Sequence, residues 1–422
     1  MEVGSFIKIH RIKQNMTQED LADGIVSESY LSKIENQKTV ASPEVIDMLC
    51  VRLGVQYRDQ EDSILEEKCK DWFDLLFENN SRDTINAKYE ELEELMKGSN
   101  SDYEMLFEIH KIRYYLVLGE ERLALKQINS LRELASNFEN SAQYYWFKFN
   151  GNYNSVMEEY NQAMRFYRLA EEKIVHADIS ENEEADLKYT MAVTYSKIRN
   201  TLEAIDYSNK AIDIFRKNYN FHRCAQCHII LGISYRRIRV YDKAIKNYNL
   251  ARHLAELDKD ETLIRLTNIN LGHLHASKGD TKQAIHFFNS VLEKAEVDAE
   301  DKLVAISSLI GEYYNSHNYD KAKEMVDEGL KTIENVSSDA KFKTLYYYKL
   351  STYYYSLNKD VDRFEAIVVN EFIPYLQKQK DYANLVIYAN MVGKHFEDRK
   401  KYKSANKFYK LVNLSYEQII KI

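Results

Sequence analysis

Two cysteines and two histidines lie close together near the middle of the chain, and these residue types could bind a metal or carry out redox chemistry. Cys224 and Cys227 are three positions apart, and His222 and His228 flank them. Four such ligands would suit zinc if they converged, and a Cys-x-x-Cys pair can also be a redox centre. The motif falls, however, at the start of a predicted helix that continues to Tyr235, with no strand–helix alternation around it. We therefore predict two buried thiols and neither a metal site nor a redox site.

The remaining motifs of enzyme chemistry are missing from the sequence. It contains neither the GxGxxG nor the GxxxxGK[ST] phosphate loop, and no GxSxG nucleophile elbow. The other histidines show no ligand spacing. We therefore expect no enzyme activity, no catalytic residue and no cofactor.

The composition favours a helical protein of the cytoplasm. Only 2 prolines and 12 glycines interrupt 422 residues, so long helices can form. The sequence contains no run of about 18 apolar residues, which is the length needed to span a membrane. The N-terminus lacks the apolar core of a secretory signal, and the four cysteines do not resemble a disulfide framework. The net charge of −8 does not favour non-specific attraction of the whole molecule to nucleic acid, so any DNA binding must be local.

The first sixty residues have the pattern of several short helices with a tight turn. Thr17 can cap one helix and Ser27 the next, while Gly24 suits the turn between them. Leu31 and Ile34, three positions apart, would face inward on the second of these helices. The pattern predicts a helix-turn-helix.

The stretches TQEDLA and VSESYLSKIEN resemble the lambda-repressor-type (XRE-type) helix-turn-helix family over about residues 7–54. The resemblance implies a five-helix domain whose third helix lies in the major groove of double-stranded DNA, with Gln18 at a phosphate. The implied DNA-binding residues are Gln18, Ser27, Glu28, Ser29, Tyr30, Lys33, Asn36, Gln37 and Lys38. The segment between Leu21 and Ser27 is one residue shorter than in most members. Residues 1–60 also hold seven Lys/Arg against nine Asp/Glu, so the alternative is a domain used only for dimer contacts.

A second pattern recurs every forty residues along the rest of the chain. Small residues at Ala192, Gly232 and Gly272 are each forty apart, and so are the Ala-Ile pairs that begin at Ala204 and Ala244. Small residues let paired helices approach, and aromatic residues nearby fill the space between pairs. This resembles the tetratricopeptide repeat, lengthened from about 34 residues.

The predicted fold is all-α, with the helix-turn-helix domain followed by a right-handed superhelix of tetratricopeptide-like helix pairs. We predict a DNA-binding domain over residues 1–60, a linker helix over 61–78, and about seven to nine helix pairs over 79–422. The segment 331–380 departs from the repeat, and Pro374 should break or kink a helix there.

The first helices of such pairs line a concave wall. With Gly272 at the packed position, Asn270 and His273 would face that wall. The same register gives a set of polar and aromatic candidates for binding a short extended peptide, because amides pair with peptide backbone and guanidiniums with carboxylates. The predicted peptide-binding residues are Tyr189, Arg236, Arg237, Asn270, His273, Tyr314, Asn315 and Asn390. The alternative for any one of these residues is that it does not bind peptide and instead lies on the solvated surface or packs between repeats.

The combination of both parts resembles the Rap, Rgg, NprR, PlcR and PrgX group of peptide-pheromone receptors, and most closely its NprR-like or long PlcR-like members. The resemblance implies quorum-sensing transcriptional regulation in the cytoplasm. A signalling peptide would bind in the groove, and a homodimer or higher oligomer would bind a palindromic operator. Two alternatives stay open. One is a Rap-like protein that sequesters or dephosphorylates a sporulation response regulator, and the other is a phage-type repressor without a small ligand.

Overall fold

The computed structural model describes residues 3–55, 63–77, 81–96, 103–293, 297–336 and 340–420, and every regular element in these ranges is helical. The chain divides into two compact units, Met1–Leu187 and Lys188–Ile422. No helix of the described ranges is both long enough and apolar enough to cross a lipid bilayer.

Four short helices form the N-terminal head of the first unit. They are α1 (Val3–Lys13), α2 (Gln18–Ala22), α3 (Glu28–Glu35) and α4 (Pro43–Leu53). The Thr17 side chain accepts a hydrogen bond from the Asp20 N–H, and Asp20 in turn accepts from the Thr17 N–H, which is a capping box. Gly24, in the turn between α2 and α3, has a φ of +68°, where glycine is favoured. The fifth helix expected within residues 1–60 falls on residues 56–60, which lie outside the described ranges.

Six further helices complete the described pairs of the first unit. They are α5 (Ser63–Leu75), α6 (Arg82–Met96), α7 (Tyr103–Leu118), α8 (Glu121–Leu131), α9 (Asn140–Val156) and α10 (Tyr160–Lys173). The indole of Trp72 in α5 is fully buried in a core with Ile85, Leu92 and Phe107. Helix α5, which lies in the segment predicted as a linker, thus packs against both α6 and α7.

The head is held against these pairs by one face of α1. Ile9 lies in the same buried cluster as Met105 and Ile109 of α7 rather than in the core of the head. Beside it, the Lys13 Nζ is 2.6 Å from a carboxylate oxygen of Glu104. Helix α1 therefore belongs to two cores, and its orientation fixes the head relative to α7.

The second unit continues the array from α11, which crosses the boundary between the units. Its helices are α11 (Glu181–Lys197), α12 (Thr201–Lys217), α13 (Phe221–Arg237), α14 (Tyr241–Asp258), α15 (Glu261–Lys278), α16 (Thr281–Leu292), α17 (Ala299–Asn315), α18 (Tyr319–Glu334), α19 (Ala340–Leu357), α20 (Val361–Ile367), α21 (Ile373–Lys378), α22 (Tyr382–Asp398) and α23 (Tyr402–Ile420). Short turns join the members of each pair, which confirms the predicted all-α class of a head followed by helix pairs.

A glycine in the first helix of a pair packs on an aromatic ring sixteen residues later in the second. Gly232 lies on the ring of Tyr248, and Gly272 lies on the ring of Phe288. A Cβ at either glycine would overlap ring carbons, so the close approach of the two helices requires glycine. The recurrence predicted from the sequence therefore has a steric cause.

The pair that departs from the repeat contains a π-helical turn. Residues Val368–Phe372 form this turn between α20 and α21, and Pro374 follows it in the first turn of α21. Proline has no N–H to donate to the preceding turn. Helical conformation therefore continues through Pro374, and the distortion in this segment is the π turn directly before it.

Candidate functional site

The outer face of α3 carries most of the residues predicted to meet DNA. Leu31 and Ile34 are buried in the head, and this turns Glu28, Ser29 and Lys33 to solvent. The Ser27 hydroxyl accepts a hydrogen bond from the Tyr30 N–H at 3.2 Å and so caps the helix. The exposed N-terminal turn of a helix is suited to a phosphate or a base edge.

A buried ion pair holds Gln18 in place at the start of α2. Both oxygens of the Glu35 carboxylate face Arg11, with Nε–Oε1 at 2.6 Å and Nη2–Oε2 at 2.9 Å. The Gln18 amide donates to the same carboxylate at 2.6 Å. Because an amide nitrogen has two hydrogens, Gln18 keeps one for an outside acceptor such as a phosphate. Sequence reasoning missed Arg11 and Glu35, although an acidic residue beside Ile34 on the inner side of α3 was a signal.

Four other predicted DNA-binding residues follow α3 or lie on its side, and three of them have partners in the head. The Asn36 amide donates to the Ser32 carbonyl at 2.7 Å, and the Gln37 amide donates to the Ser5 hydroxyl of α1 at 2.9 Å. Tyr30 packs partly into the head core, whereas Lys38 is exposed. Glu28, Ser29, Lys33 and Lys38 are the exposed members of the predicted set for which no side-chain partner is described, and Asn36 and Gln37 are exposed as well, so the DNA-binding role of the whole set stays a prediction.

Within the second unit, four cationic side chains and one neutral histidine from different helices lie in one electrostatic neighbourhood. We call Arg199, Arg236, Arg237, His273 and Lys349 the cationic wall. Burial, together with the positive charges of Arg236 and Lys349, lowers the pKa of His273 to about 3, so its ring is neutral near pH 7. These three residues lie on α15, α13 and α19, so groups far apart in the sequence act on one another electrostatically.

Depth combined with solvent access identifies this region as a recess. His273 and Lys349 lie deep within the unit, yet part of the surface of each stays accessible. Burial lowers the pKa of Lys349 to about 8, although the Asp381 carboxylate opposes that effect. The Arg236 Nε is buried without an acceptor among the described residues, although the Arg236 guanidinium also interacts with the Tyr248 hydroxyl and so lowers the pKa that burial raises there. An unpaired buried donor beside other cations favours an anionic group in the recess.

Arg237 and Arg199 form the edge of the cationic wall. The Arg237 guanidinium donates to the Ser196 carbonyl at 2.5 Å and lies 3.2 Å from its hydroxyl, at the last turn of α11. Burial lowers the pKa of Arg237 to about 10, and the charges of Arg199 and Arg236 add to this. Arg237 thus joins two neighbouring first helices, and only part of its donor capacity is left for a ligand.

The other residues predicted to bind peptide lie around this recess or along the unit. The ring of Tyr189 is covered by the Arg223 guanidinium at 4.3 Å, and the Tyr314 hydroxyl is 2.9 Å from the Ser356 hydroxyl. Asn270 is almost fully buried and donates to the Leu266 carbonyl of its own helix at 2.9 Å. Asn315 is exposed at the end of α17, and Asn390 is half-buried on α22. Of the predicted peptide-binding residues, Arg236, Arg237 and His273 belong to the cationic wall, and the peptide-binding role of all eight stays a prediction.

Sequence reasoning missed Lys349, Arg199 and Arg223. Lys349 lies in the segment with the π turn, where the forty-residue register could not be extended. Arg199 lies just after the end of α11, outside the helical positions that the register covers. The only sequence signal for Lys349 was its position three residues after an aromatic residue, Tyr346.

The cysteine–histidine segment has the structural role that we predicted for its thiols. Cys224 and Cys227 are both buried in α13, and burial raises the pKa of each thiol. The His222 ring nitrogen faces Asp258 and Asp260 at 3.3 and 3.2 Å. Across the described ranges, no group of three or more His, Cys, Asp and Glu side chains is arranged to hold a metal ion.

Comparison with known proteins agrees with this architecture. A family model described as "Helix-turn-helix" matches residues 7–60, and one described as "Soluble NSF attachment protein, SNAP" matches residues 139–316, which is less than half of the chain. The transcriptional activator NprA of Geobacillus stearothermophilus is 35% identical over 400 residues, covering 93% of this chain and 97% of NprA. The regulatory protein RapF of Bacillus subtilis (strain 168) is 23% identical, covering 85% of this chain and 94% of RapF.

Two solved structures share the fold. The apo form of the quorum sensor NprR from B. thuringiensis has a TM-score of 0.69 at 18% identity, covering 84% of this chain and 99% of that one. NprR in complex with its cognate peptide NprX has a TM-score of 0.59 at 20% identity, covering 83% of this chain and 98% of that one. With NprA similar over nearly the full length of both chains, this chain belongs to the Rap, Rgg, NprR, PlcR and PrgX family of regulatory proteins.

Proposed function

We propose that this chain is a transcriptional regulator that binds DNA through α3 and is controlled by a short signalling peptide bound along the cationic wall. The observation that carries the proposal is the recess itself, where the positive charges of Arg236 on α13 and Lys349 on α19 both act on the buried, neutral ring of His273 on α15. The similarity to a transcriptional activator supports the DNA-binding half.

For the DNA-binding half, the proposed contacts divide by chemistry. Glu28 and Ser29 at the start of α3 would meet base edges, where a carboxylate can accept from a cytosine amino group. Lys33 and Lys38 would meet phosphates, as would the free amide hydrogen of Gln18. One head buries a short helix in one major groove, so we propose that a homodimer or higher oligomer places two heads on a palindromic operator.

For the peptide half, the recess favours a ligand with a carboxylate. Charge-assisted hydrogen bonds to guanidinium or ammonium groups are stronger than neutral ones, and they contribute about 1.5–3 kcal/mol each. Arg236 and Lys349 would bind the carboxylate, while Tyr189, Asn270, His273, Tyr314, Asn315 and Asn390 would contact the rest of the peptide. Arg237 would keep the first helices of neighbouring pairs in register.

Calorimetric titration tests the peptide half directly. The probe is a set of short synthetic peptides that end in a free carboxylate, titrated into the full chain. We expect binding by at least one peptide, and Arg236→Met should weaken it roughly 10- to 100-fold because a charged hydrogen bond is lost. Lys323→Met, an exposed lysine on α18, is the matched control. Equal affinity of the Arg236→Met variant would exclude this wall as the site.

A Rap-like role, in which the chain sequesters or dephosphorylates a response regulator, has less support. RapF is similar over most of the chain, but the capped helix-turn-helix head and the similarity to NprA favour DNA binding without enzyme activity. A pull-down of purified response regulators with and without peptide separates the two roles. We further propose that the regulator works in the cytoplasm, where its DNA is.

A further inference from the structure

A second recess lies beside the last described helix of the second unit. It has a volume of about 570 Å³ and lies between α23 and the segment formed by the π turn and α21. This recess is separate from the cationic wall, because none of its lining residues belongs to that wall.

The floor of this recess is apolar. Ile373 and Pro374 contribute from α21, and Phe408, Leu411 and Leu414 contribute from α23. Leu414 is 56% exposed although it is a large aliphatic residue. Phe408, Leu411 and Leu414 follow one another at intervals of three along α23, so they form one stripe about two turns long. Such a stripe matches the anchors that an amphipathic helix inserts into a groove.

The rim of this recess is positively charged. Lys403, Lys407 and Lys410 are spaced by four and three positions, so they follow one edge of α23. All three are exposed, and no Asp or Glu is among the described residues that line the recess. A bound partner should therefore carry negative charge next to its apolar anchors.

The π turn explains why the recess is open here. A π turn widens the helix by one residue per turn and shifts the side chains that follow it. Val369, within the turn, and Ile373, just after it, line this side of the recess together with Pro374 and Gln377. Because π turns occur frequently at functional sites, the distortion is an observation independent of the charge pattern.

We propose that this groove, formed by α21 and α23, docks an acidic amphipathic helix of a partner protein. A nucleic acid would satisfy the lysines but would leave the apolar floor against a charged backbone. A helix with apolar residues on one side and Glu or Asp on its flanks satisfies both the floor and the rim. The inference concerns a surface outside the peptide recess and does not depend on the proposed function.

Fluorescence anisotropy with the full chain tests this proposal. The probe is a labelled synthetic helix of about five turns, with leucines every three to four positions and Glu at the flanking positions. The matched control peptide has Lys in place of each Glu. We expect the acidic peptide to bind at least tenfold more tightly than the basic one, with an affinity that decreases as salt rises. Equal binding of both peptides, or of neither, overturns the proposal.

Substitutions at exposed positions locate the binding. Lys407→Glu and Leu414→Ser should each weaken the acidic peptide about tenfold, because one removes rim charge and the other removes an anchor. Lys323→Glu on α18 and Leu257→Ser on α14 are matched controls, since Leu257 is 65% exposed. Unchanged affinity in both groove variants rejects the site. Sedimentation that shows a smaller oligomer for Lys407→Glu would instead make the groove an interface between copies of this chain, which also rejects it.

Discussion

The outer face of α3 and the cationic wall are built in opposite ways. The α3 face comes from one segment of eight residues, capped by Ser27 and anchored by Leu31 and Ile34. The cationic wall comes from α13, α15, α19 and the end of α11, and its residues are spread along the chain from Arg199 to Lys349. The first is exposed and carries charges of both signs, whereas the second is deep and all of its charged side chains are cationic.

The two sites should therefore be sensitive to different kinds of substitution. The α3 face depends on a local fold that one buried ion pair supports, so a single change in the head should remove it. The cationic wall depends on how accurately successive pairs stack, so it should respond to changes in packing that lie outside it.

The largest effect should come from the ion pair below the α3 face. Arg11→Met leaves the Glu35 carboxylate buried without its partner, which costs about 3–5 kcal/mol. We expect hydrogen exchange to show unfolding of α1–α4, together with loss of operator binding, while peptide binding persists. The double variant Arg11→Met with Glu35→Met should recover much of the head stability. A single variant as stable as the wild type would contradict the assigned role of this pair.

The next effect should come from removing charge at the cationic wall. Lys349→Met should weaken an acidic peptide about 10- to 100-fold near neutral pH, without unfolding the head. The pKa of Lys349 is about 8, so this lysine is charged below that pH and loses its charge above it. Wild-type affinity should therefore decrease as pH rises from 7 to 9, and the affinity of Lys349→Met should change less. Parallel pH profiles would show that Lys349 does not meet the peptide.

Stacking within the second unit should be sensitive to one methyl group. Gly272→Ala inserts a Cβ against the ring of Phe288 and should reduce the free energy of unfolding by about 1–3 kcal/mol. Gly311→Ala is the matched control, because its Cβ would lie an ordinary 3.6 Å from the Tyr353 hydroxyl and helices favour alanine. Urea denaturation should show a lower free energy of unfolding for Gly272→Ala and a higher one for Gly311→Ala. Equal effects would mean that the glycine–aromatic contact does not limit stacking.

The smallest effect should come from a single phosphate contact on the α3 side. Lys33→Ala should weaken binding of all DNA sequences to a similar degree and reduce the slope of log affinity against log salt by about 1. Lys323→Ala serves as the control. Filter binding at several salt concentrations gives both slopes, and identical slopes for the two variants would remove Lys33 from the interface.

The sequence predicted local features better than assembled ones. Thr17, Ser27 and Gly24 determine backbone geometry within a few residues, so their roles could be read directly. The same holds for Gly272 and Phe288, because the forty-residue recurrence fixes which residues of a pair meet. The side-chain partners of Gln37 and Arg237 could not be predicted, since each bonds to a different helix. Lys349 was missed because it lies in the segment 331–380, where the sequence departs from the forty-residue pattern.

The central claim is that peptide bound at the cationic wall changes DNA binding by the head, and linked titrations test it most directly. Operator affinity of the full chain is measured with and without saturating peptide, in the wild type and in Lys349→Met. Peptide affinity is then measured with and without operator. We predict that, in the wild type, peptide changes operator affinity by the same factor by which operator changes peptide affinity, as linkage requires. In Lys349→Met, the same peptide concentration should change operator affinity very little. Operator affinity that is independent of peptide in the wild type would contradict the account.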